Sequence, residues 1–275
     1  MEWISILVVD RKQPPTQLIA LVQRRYDFLA VLDTDTYDKR SLEEKLDVSR
    51  STVDRALRDL ESAALAHRTP DGYRTTLYGG TLLAIYNLVL DYVGQVQRAE
   101  VLLPELPRDI DFSVSLLIDA EILVAEEPAL HAPTSRIADL IDAASEVRGL
   151  AYAHTSPDAL ELFQQQIVSE GMPTEIVFRE RMYQNFRATA PDILESLMDA
   201  DCYTAYVTPD VPFGLFLPTI DGSEHVCLVV YDNNKNVRGI IVNDTAEAVA
   251  WGTRLFERYR TQAQQITDGP EARTQ

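Results

Sequence analysis

Two arginines and two serines are spaced to share one face of a helix predicted over residues 50–63. At about 100° per residue, Arg55, Arg58, Ser51 and Ser62 fall together on one side. A guanidinium can donate two parallel hydrogen bonds to guanine in the major groove of DNA. A hydroxyl near the start of a helix can bind phosphate together with free backbone N–H groups. This face therefore has the chemistry of a nucleic-acid contact.

The opposite side of the same helix carries the apolar positions that we expect to be buried, Val53, Leu57, Leu60 and Ala64. Asp54 and Asp59 lie only at the edges of the polar face. An acidic protein that needed only a solvated face would place carboxylates in its middle. The alternative is an ordinary surface helix with charge pairs four residues apart, such as Asp54 with Arg58.

The elements before this helix are predicted to position it. Ser49 is expected to cap it, and Ser41 is expected to cap a two-turn helix over residues 42–46. An apolar repeat predicts a further helix over residues 18–32. A short helix, a brief turn and a longer helix are typical of a helix-turn-helix.

A β-hairpin is predicted after the helix-turn-helix. Residues 65–68 and 73–77 alternate around the turn Thr69-Pro70-Asp71-Gly72. Such a hairpin would be a wing whose Arg68 and Arg74 touch the sugar–phosphate backbone. The residues predicted to contact double-stranded DNA are Arg50, Ser51, Thr52, Arg55, Arg58, Arg68 and Arg74.

Charge is distributed unevenly along the chain. The 275 residues carry a formal net charge of −18, but residues 1–80 hold 12 basic and 13 acidic residues, whereas residues 81–275 hold 13 basic and 30 acidic residues. A near-neutral first segment beside a strongly acidic remainder indicates that the first segment approaches an anionic partner. Only four of the 25 basic residues are lysines. Acid excess with scarce lysine favours a halophilic protein over an acidic protein of an ordinary cytosol.

Composition also argues against several classes of protein. No apolar run reaches the roughly 20 residues of a membrane-spanning helix, and the N-terminal residues lack the pattern of a signal peptide. Cys202 and Cys227 form neither a metal pair nor a disulfide framework, so we expect reduced thiols in a cytoplasmic protein. We predict no membrane partner, no metal and no cofactor. Residues 1–14 indicate only a strand or a helix from Trp3 to Val9.

Several segments resemble a known family. They are Leu42–Leu57, Gly72–Arg74, Leu77–Gly80, Asp111–Phe112, Val211–Leu215 and Trp251–Arg260. Over residues 17–262 the chain resembles archaeal winged helix-turn-helix transcriptional regulators with a methanogenesis-regulatory-protein-type (TrmB-like) effector domain, particularly those of salt-loving archaea. The resemblance implies a DNA-binding domain and an effector domain similar to the phospholipase D fold. It does not imply a particular ligand.

The segment 82–96 predicts a long helix with two adjacent apolar stripes. One stripe would suffice for packing on its own domain, so the second indicates that another subunit covers this helix. The stripe assigned to a homodimer contact consists of Leu82, Ile85, Val89, Tyr92 and Val96. The alternative is that both stripes are buried inside a larger monomer.

Beyond residue 100 the pattern predicts an α/β domain of mixed α+β character. Strands over residues 122–124, 147–153 and 174–178 alternate with helices over residues 133–144 and 156–169, which implies a partly parallel sheet. An antiparallel meander over residues 203–208, 213–219, 227–231 and 237–242 precedes a closing helix over residues 245–260. We therefore expect a winged helix-turn-helix at 15–80, a linker and dimerisation helix at 81–100, an effector domain at 101–262 and a flexible tail at 263–275.

In a mixed sheet, ligands tend to bind beyond the carboxyl ends of parallel strands. The residues predicted to lie there are Arg136, His154, Ser156, Arg179 and Arg181. Because basic residues are scarce in this domain, these arginines predict a pocket for a small anionic metabolite. The alternative is that the arginines pair with nearby carboxylates such as Glu175 or Glu180, and that His154 is structural.

Catalysis is not expected from the motifs of this chain. The phospholipase D hydrolases, whose fold the effector domain resembles, use a His-x-Lys motif, and none of the four histidines has a lysine two positions later. The combined interpretation is a homodimeric DNA-binding transcriptional regulator that senses a small molecule. The alternative is a non-enzymatic module that uses its winged helix for protein contacts.

Overall fold

The structure is a computed structural model that describes residues 14–153 and 157–267. The chain divides into two compact units, residues 1–93 and residues 94–275. The segment from Trp3 to Val9, for which a strand or helix was expected, lies outside the described residues. No helix in the described part of the chain is both long and apolar enough to cross a membrane.

The N-terminal unit is a helix-turn-helix followed by a hairpin. Its elements are α1 (Pro15–Arg24), α2 (Tyr26–Thr34), α3 (Lys39–Leu46), α4 (Arg50–Ser62), β1 (Ala66–Thr69), β2 (Gly72–Thr75) and α5 (Leu77–Arg98), whose last residues belong to the second unit. Apolar side chains from all five helices, together with Leu65, Ala66 and Tyr73, form one core. The predicted winged helix-turn-helix is confirmed.

The helix expected over residues 18–32 is instead two helices. The backbone of Arg25 leaves the helical range (φ −114°, ψ 21°) between α1 and α2, and its guanidinium reaches Asp59 on α4. The apolar repeat continues across this residue, so the repeat alone does not indicate the break. A second boundary also differs from the prediction. Leu77 is the first residue of α5 and not the last residue of a hairpin strand.

The start of α3 also differs from the prediction. The cap is Asp38, whose carboxylate accepts the backbone N–H of Ser41 at 2.8 Å, and the helix begins at Lys39. The predicted cap, Ser41, lies inside the first turn. An Asp in extended conformation before a helix accepts hydrogen bonds from the free N–H groups of the first turn as well as a Ser does. The sequence therefore offers both Asp38 and Ser41 as a cap for α3.

The C-terminal unit is a mixed sheet with helices packed on it. Its strands are β3 (Glu121–Val124), β4 (Glu146–Ala151), β5 (Thr174–Arg179), β6 (Tyr203–Thr208), β7 (Gly214–Ile220), β8 (Ser223–Glu224), β9 (Val226–Tyr231), β10 (Val237–Asn243) and β11 (Gln264–Gln265). Its α-helices are α6 (Ala132–Asp142), α7 (Pro157–Gln164), α8 (Glu180–Thr189), α9 (Pro191–Met198) and α10 (Ala246–Gln262). The strand order is β11-β6-β5-β4-β7-β9-β10-β3, with β8 paired to β7. The predicted α/β class with a mixed sheet is confirmed.

The position of β6 corrects the predicted meander. β6 pairs in parallel with β5, and α8 and α9 form the crossover that parallel neighbours require. The antiparallel series contains β7, β9 and β10, to which β3 adds. The predicted flexible tail also contains an ordered strand, because Gln264–Gln265 pair with β6.

Several loops between strands and helices lie at one edge of this sheet. β4 and β5 are parallel, so their carboxyl ends lie together. β9 runs in the same direction as β4, because each is antiparallel to β7. The turn between β9 and β10 and the start of α8 therefore lie at this edge as well.

Candidate nucleic-acid interface and effector cavity

The connection between α3 and α4 is fixed by local backbone chemistry. Asp47 adopts the left-handed conformation (φ 51°) that ends α3. Ser49 then caps α4, as predicted, and its hydroxyl accepts the backbone N–H of Thr52 at 3.3 Å. The hydroxyls of Ser51 and Thr52 lie 3.0 and 2.9 Å from that of Ser49. The hydroxyl groups predicted to contact DNA are thus held together at the first turn of α4.

The two faces of α4 follow the predicted division with one exception. Val53, Leu57 and Leu60 are buried. Ala64 is exposed instead of buried, because α4 ends at Ser62 and Ala64 turns the chain with a positive φ of 58°. The exposed residues on the other side are Arg50, Ser51, Arg55, Arg58 and Ser62, and Thr52 is half-buried beside them.

Both carboxylates at the edges of this face are neutralised from outside α4. Asp54 pairs with Lys39 of α3 at 2.6 Å, and Asp59 pairs with Arg25 at 2.8 Å. The hydrogen bond from Lys39 lowers the pKa of Asp54, and the same contact raises the pKa of Lys39. Asp54 is therefore paired with Lys39, whereas the surface-helix alternative required a pair between Asp54 and Arg58.

Three arginines of α4 keep their donors available. Within residues 14–153 and 157–267, Arg50, Arg55 and Arg58 form no salt bridge and no side-chain hydrogen bond. Each presents up to five N–H donors in a planar group that suits phosphate and the edge of guanine. The face is cationic because its own helix supplies the arginines and its neighbours supply the counter-charges for Asp54 and Asp59.

The hairpin places its two predicted contact residues on opposite faces. His67 pairs with Arg74, and Arg68 pairs with Tyr73, and directly opposed residues share a face of a ribbon. Tyr73 is buried, whereas Arg68, Arg74 and His67 are exposed. The structure therefore groups Arg74 with His67. His67 is not among the contact residues predicted from the sequence, although the alternation around Tyr73 indicates it.

Helix α5 exposes an unusual amount of apolar surface for a chain taken alone. The exposed side chains include Ile85 at 50%, Val89 at 49%, Tyr92 at 39% and Val96 at 39% of their full accessible area. Leu82 is half-buried against the N-terminal core, with Leu83 and Tyr86. The start of α5 thus packs on its own unit, whereas beyond Tyr86 both stripes are uncovered in the single chain, since Leu90 and Val93 of the second stripe are 46% and 50% exposed. Leu88, which is not part of the predicted stripe, extends the uncovered surface with 51% exposure.

The edge of the sheet beyond β4 and β5 contains a cavity of about 320 Å³. Its lining residues are Tyr152, Ala153, Arg179, Arg181, Met182, Asn185 and Lys235. Arg179 and Arg181 are thus brought together, as the sequence predicted for the ends of parallel strands. His154 and Ser156 lie outside the described residues.

Arg136 is not grouped with these arginines. It lies on α6 and pairs with Glu121 of β3 at 2.9 Å, in the manner of the alternative interpretation. Tyr152, Asn185 and Lys235 line the cavity but were not selected from the sequence. Only the direction of β9 relative to β4 brings Lys235 to this edge, and that direction depends on the order of the strands.

The described thiols and carboxylates of this unit are not grouped as metal ligands. No group of three or more His, Cys, Asp or Glu residues in the described part of the chain is placed to hold a metal ion. Both cysteines are free. Burial raises the pKa of Cys227 to about 12, which keeps this thiol protonated and unreactive.

Comparisons with solved structures show only distant likeness. TrmBL2, described as an archaeal chromatin protein with a novel mode of DNA binding, is 13% identical, with a TM-score of 0.42, over 92% of this chain and 100% of that chain. The phospholipase D family member Nuc from Salmonella typhimurium is 13% identical over 55% of this chain and 100% of its own, with a TM-score of 0.42. NucT from Helicobacter pylori is 13% identical over 54% of this chain and 99% of its own, with a TM-score of 0.44. No curated protein sequence matches the chain.

Two family models match most of the chain. The HVO_A0261 N-terminal domain matches residues 15–99. The middle domain of the methanogenesis regulatory protein FilR1 matches residues 130–262. The first match covers the helix-turn-helix, the hairpin and α5, and the second covers the C-terminal unit from α6 to the end of α10. The chain therefore combines an N-terminal domain that matches the HVO_A0261 family with a middle domain that matches the family described for the methanogenesis regulatory protein FilR1.

Proposed function

We propose that this regulator binds double-stranded DNA as a homodimer and that its C-terminal unit senses a small molecule that changes operator binding. The observation that carries the proposal is the exposed face of α4, where Arg50, Arg55 and Arg58 lack partners in the described part of the chain while Asp54 and Asp59 are neutralised by other elements. An anionic ligand that fits along a helix face is the partner that this arrangement favours.

The proposed docking places α4 in the major groove. Arg55 and Arg58 then read base edges, and Arg50, Ser51 and Thr52 at the start of the helix bind phosphate or bases. Arg74 and Arg68 of the wing add contacts to the sugar–phosphate backbone, where they contribute affinity without sequence information. His67 shares the face of Arg74, so the same proposal includes it among the wing contacts.

The proposed dimer forms through α5. Its uncovered side chains are spaced as Ile85, Val89, Tyr92 and Val96, along a helix of 22 residues. A second copy of the same helix offers the same apolar stripe, and a twofold axis lets each stripe cover the other. Two α4 helices related by this axis would contact half-sites about 34 Å apart, or a multiple of that distance.

The proposed regulation is a shift between two arrangements of the dimer. A ligand that binds one arrangement more tightly increases its population. Helix α5 begins in the N-terminal unit and ends in the C-terminal unit, so a change in how two copies of α5 pair affects the spacing of the two α4 helices. Operator affinity then reports ligand binding.

The direct test is operator binding by the full chain, measured by gel shift or fluorescence anisotropy with DNA from its own promoter region in high salt. Arg55→Ala is expected to weaken binding by about 10-fold to 100-fold if Arg55 contacts a guanine, and to relax the preference at that base pair. The matched control is Arg40→Ala, because Arg40 is exposed on α3 and pairs with Glu44 at 3.1 Å.

Unchanged operator binding by Arg55→Ala would contradict the proposed recognition face. Failure of the wild-type chain to bind any promoter fragment would favour the use of the winged helix for protein contacts. Salt dependence gives a second measure, because log affinity falls by about 0.9 per log unit of salt for each phosphate contacted. We expect a shallow slope, since recognition in concentrated salt depends on bases and shape more than on phosphate.

A further inference from the structure

We propose that the cavity beyond β4 and β5 binds a small oxyanion with two or more negative charges, held by Arg179, Arg181 and Lys235. The inference deepens the proposed function, on which it rests for the regulatory role of the ligand but not for its binding. The ligand class follows from the composition of the cavity, which has three cations and an amide and, among its described lining residues, no carboxylate.

The concentration of cations is notable because of the unit in which it occurs. Residues 81–275 hold 30 acidic and 13 basic residues, and half of the basic residues described there form a salt bridge with a carboxylate. The arginines that form such pairs outside the cavity are Arg136, Arg148, Arg238, Arg258 and Arg260. Within the described residues neither Arg181 nor Lys235 forms a salt bridge or a side-chain hydrogen bond. Two cations that lack partners therefore line one cavity.

Arg179 is the ordered member of the group. Its guanidinium lies 5.0 Å from the ring centre of Tyr152, and that ring packs on Tyr231 with centroids 4.9 Å apart. It also pairs with Asp210 at 2.9 Å, and its side chain is 26% exposed whereas that of Asp210 is 67% exposed. The stacking fixes Arg179 in place, and the exposed carboxylate of Asp210 is the group with which an incoming anion competes.

Lys235 occupies a backbone conformation that disfavours lysine. Its φ is 66°, in the left-handed region where glycine and asparagine are usual. The turn that holds it is fixed by Asp232, whose carboxylate accepts the backbone N–H groups of Asn234 and Asn236 at 2.8 Å each. Lys235 is also the only lysine after Lys45 in the sequence. A compact ammonium charge at the rim of the cavity is a reason for lysine to stand at this position.

The size of the cavity limits the ligand. A volume of about 320 Å³ lies at the lower end of the range for small-molecule sites, roughly 300–1,000 Å³. Arg181, Asn185 and Lys235 are exposed, so the cavity is open and a hydrated anion can enter. Phosphate groups and clustered carboxylates share the required chemistry, since both accept several charge-assisted hydrogen bonds.

The test is isothermal titration calorimetry of the full-length protein at constant ionic strength, with pyrophosphate and citrate as probes and glucose as the neutral control. We expect saturable binding of pyrophosphate, citrate or both, and none of glucose; the two anions separate phosphate from carboxylate preference. Arg181→Gln is expected to weaken binding by about tenfold, the usual effect of losing one charged hydrogen bond. The matched control, Arg136→Gln, removes the same charge outside the cavity and should leave affinity unchanged.

Two further variants separate a lost ligand contact from a damaged fold. Lys235→Gly should weaken anion binding while leaving the Tm of the unliganded protein unchanged or higher, because glycine tolerates the left-handed turn. Asp210→Asn should strengthen binding several-fold, because it removes the carboxylate that competes for Arg179. A strengthened variant cannot result from misfolding.

The absence of saturable binding of either anion by the wild-type protein would overturn the inference. Equal weakening by Arg136→Gln and Arg181→Gln would also overturn it, since that result indicates a response to net charge. Operator binding measured without anion distinguishes the two proposals. Intact operator binding without anion binding rejects this inference alone, and saturable anion binding without operator binding rejects the DNA-binding proposal alone.

Discussion

The two units use their positive charges in opposite ways. In the N-terminal unit, Lys39 and Arg25 neutralise the two carboxylates at the edges of the polar face of α4, so the arginines of α4 are left without partners in the described chain. In the C-terminal unit, most arginines are themselves paired with carboxylates, as Arg148 is with Glu224 at 2.6 Å. The exceptions that share a cavity are Arg181 and Lys235.

This difference shows how a strongly acidic chain can still present cationic surfaces. An unpaired cation near many carboxylates is drawn toward them, so keeping several cations free at one place requires that local carboxylates be absent or already paired. At α4 the carboxylates are paired by cations from other elements. At the cavity the described lining contains no carboxylate, and Asp210, which pairs with Arg179, is not part of that lining. A cluster of unpaired cations therefore supports the proposal of an anionic partner at that place, whereas a single unpaired cation such as Arg254 does not.

The largest expected effect comes from removing two unpaired arginines. Arg55→Ala with Arg58→Ala should lower operator affinity by about 100-fold or more, because each arginine is proposed to contact base edges. Anisotropy titrations with operator DNA measure the loss. The charge-matched control is Arg238→Gln with Arg258→Gln, two paired arginines of the C-terminal unit, which should leave affinity within about twofold. Similar losses in both double variants would mean that net charge, and not the position of the cations, determines binding.

Local signals explain what could be predicted from the sequence in the N-terminal unit. The cap at Ser49, the buried stripe of Val53, Leu57 and Leu60, and the hairpin around Gly72 depend on residues close together in the chain. Each of these predictions is confirmed. The break at Arg25 was not predictable, because its main partner, Asp59, is 34 positions away.

Long-range order explains what was missed in the C-terminal unit. The residues of β6 were predicted as a strand, but its pairing with β5 depends on the crossover through α8 and α9. A hydrophobic pattern indicates where strands and helices lie in the sequence, but it does not indicate which strands are neighbours in the sheet. For the same reason Arg179 and Arg181, which follow β5 in sequence, could be placed at a strand end, whereas Lys235 could not.

The next effect concerns a paired arginine, for which stability and not binding should change. Arg148 lies beside Glu224 and, at 3.8 Å, Glu257, and its guanidinium lies 5.7 Å from the ring centre of Phe256. Arg148→Met should lower the free energy of unfolding of the C-terminal unit by about 1 kcal/mol, measured by thermal melts, with operator affinity unchanged. Arg254→Met is the control, because Arg254 is exposed on α10 without a salt bridge in the described residues. An equal loss in both variants would remove the distinction between paired and unpaired cations.

A smaller effect is expected from releasing a carboxylate beside α4. Lys39→Met leaves Asp54 without its 2.6 Å partner, so an uncompensated negative charge then lies at the edge of the DNA-contacting face. Operator affinity should fall several-fold. Adding Asp54→Asn to the same variant should restore it, because the charge that repels phosphate is gone. A double variant as weak as the single one would show that Lys39 itself contacts DNA.

The smallest effect compares one carboxylate in each unit through its pH dependence. The hydrogen bond from Lys39 lowers the pKa of Asp54, and the hydrogen bond from the backbone N–H of Asn236 lowers the pKa of Asp232. A depressed pKa in the folded state means that each ionised carboxylate stabilises its unit above the ordinary value of 3.8, and that this stabilisation is lost as the pH falls through the lower folded value.

Asp54→Asn and Asp232→Asn should therefore each lower the free energy of unfolding at pH 6, and the difference from the wild-type protein should shrink as the pH falls below about 4. Salt separates the two sites. Concentrated KCl should reduce the effect of Asp54→Asn, since an exposed ion pair is screened, and should leave that of Asp232→Asn nearly unchanged, since short backbone hydrogen bonds persist in salt. Denaturant melts of each variant at two salt concentrations measure both effects. If salt reduced the effects of Asp54→Asn and Asp232→Asn equally, the turn that holds Lys235 would depend on charge as the Lys39–Asp54 pair does. The contrast between the two units would then not extend to these carboxylates.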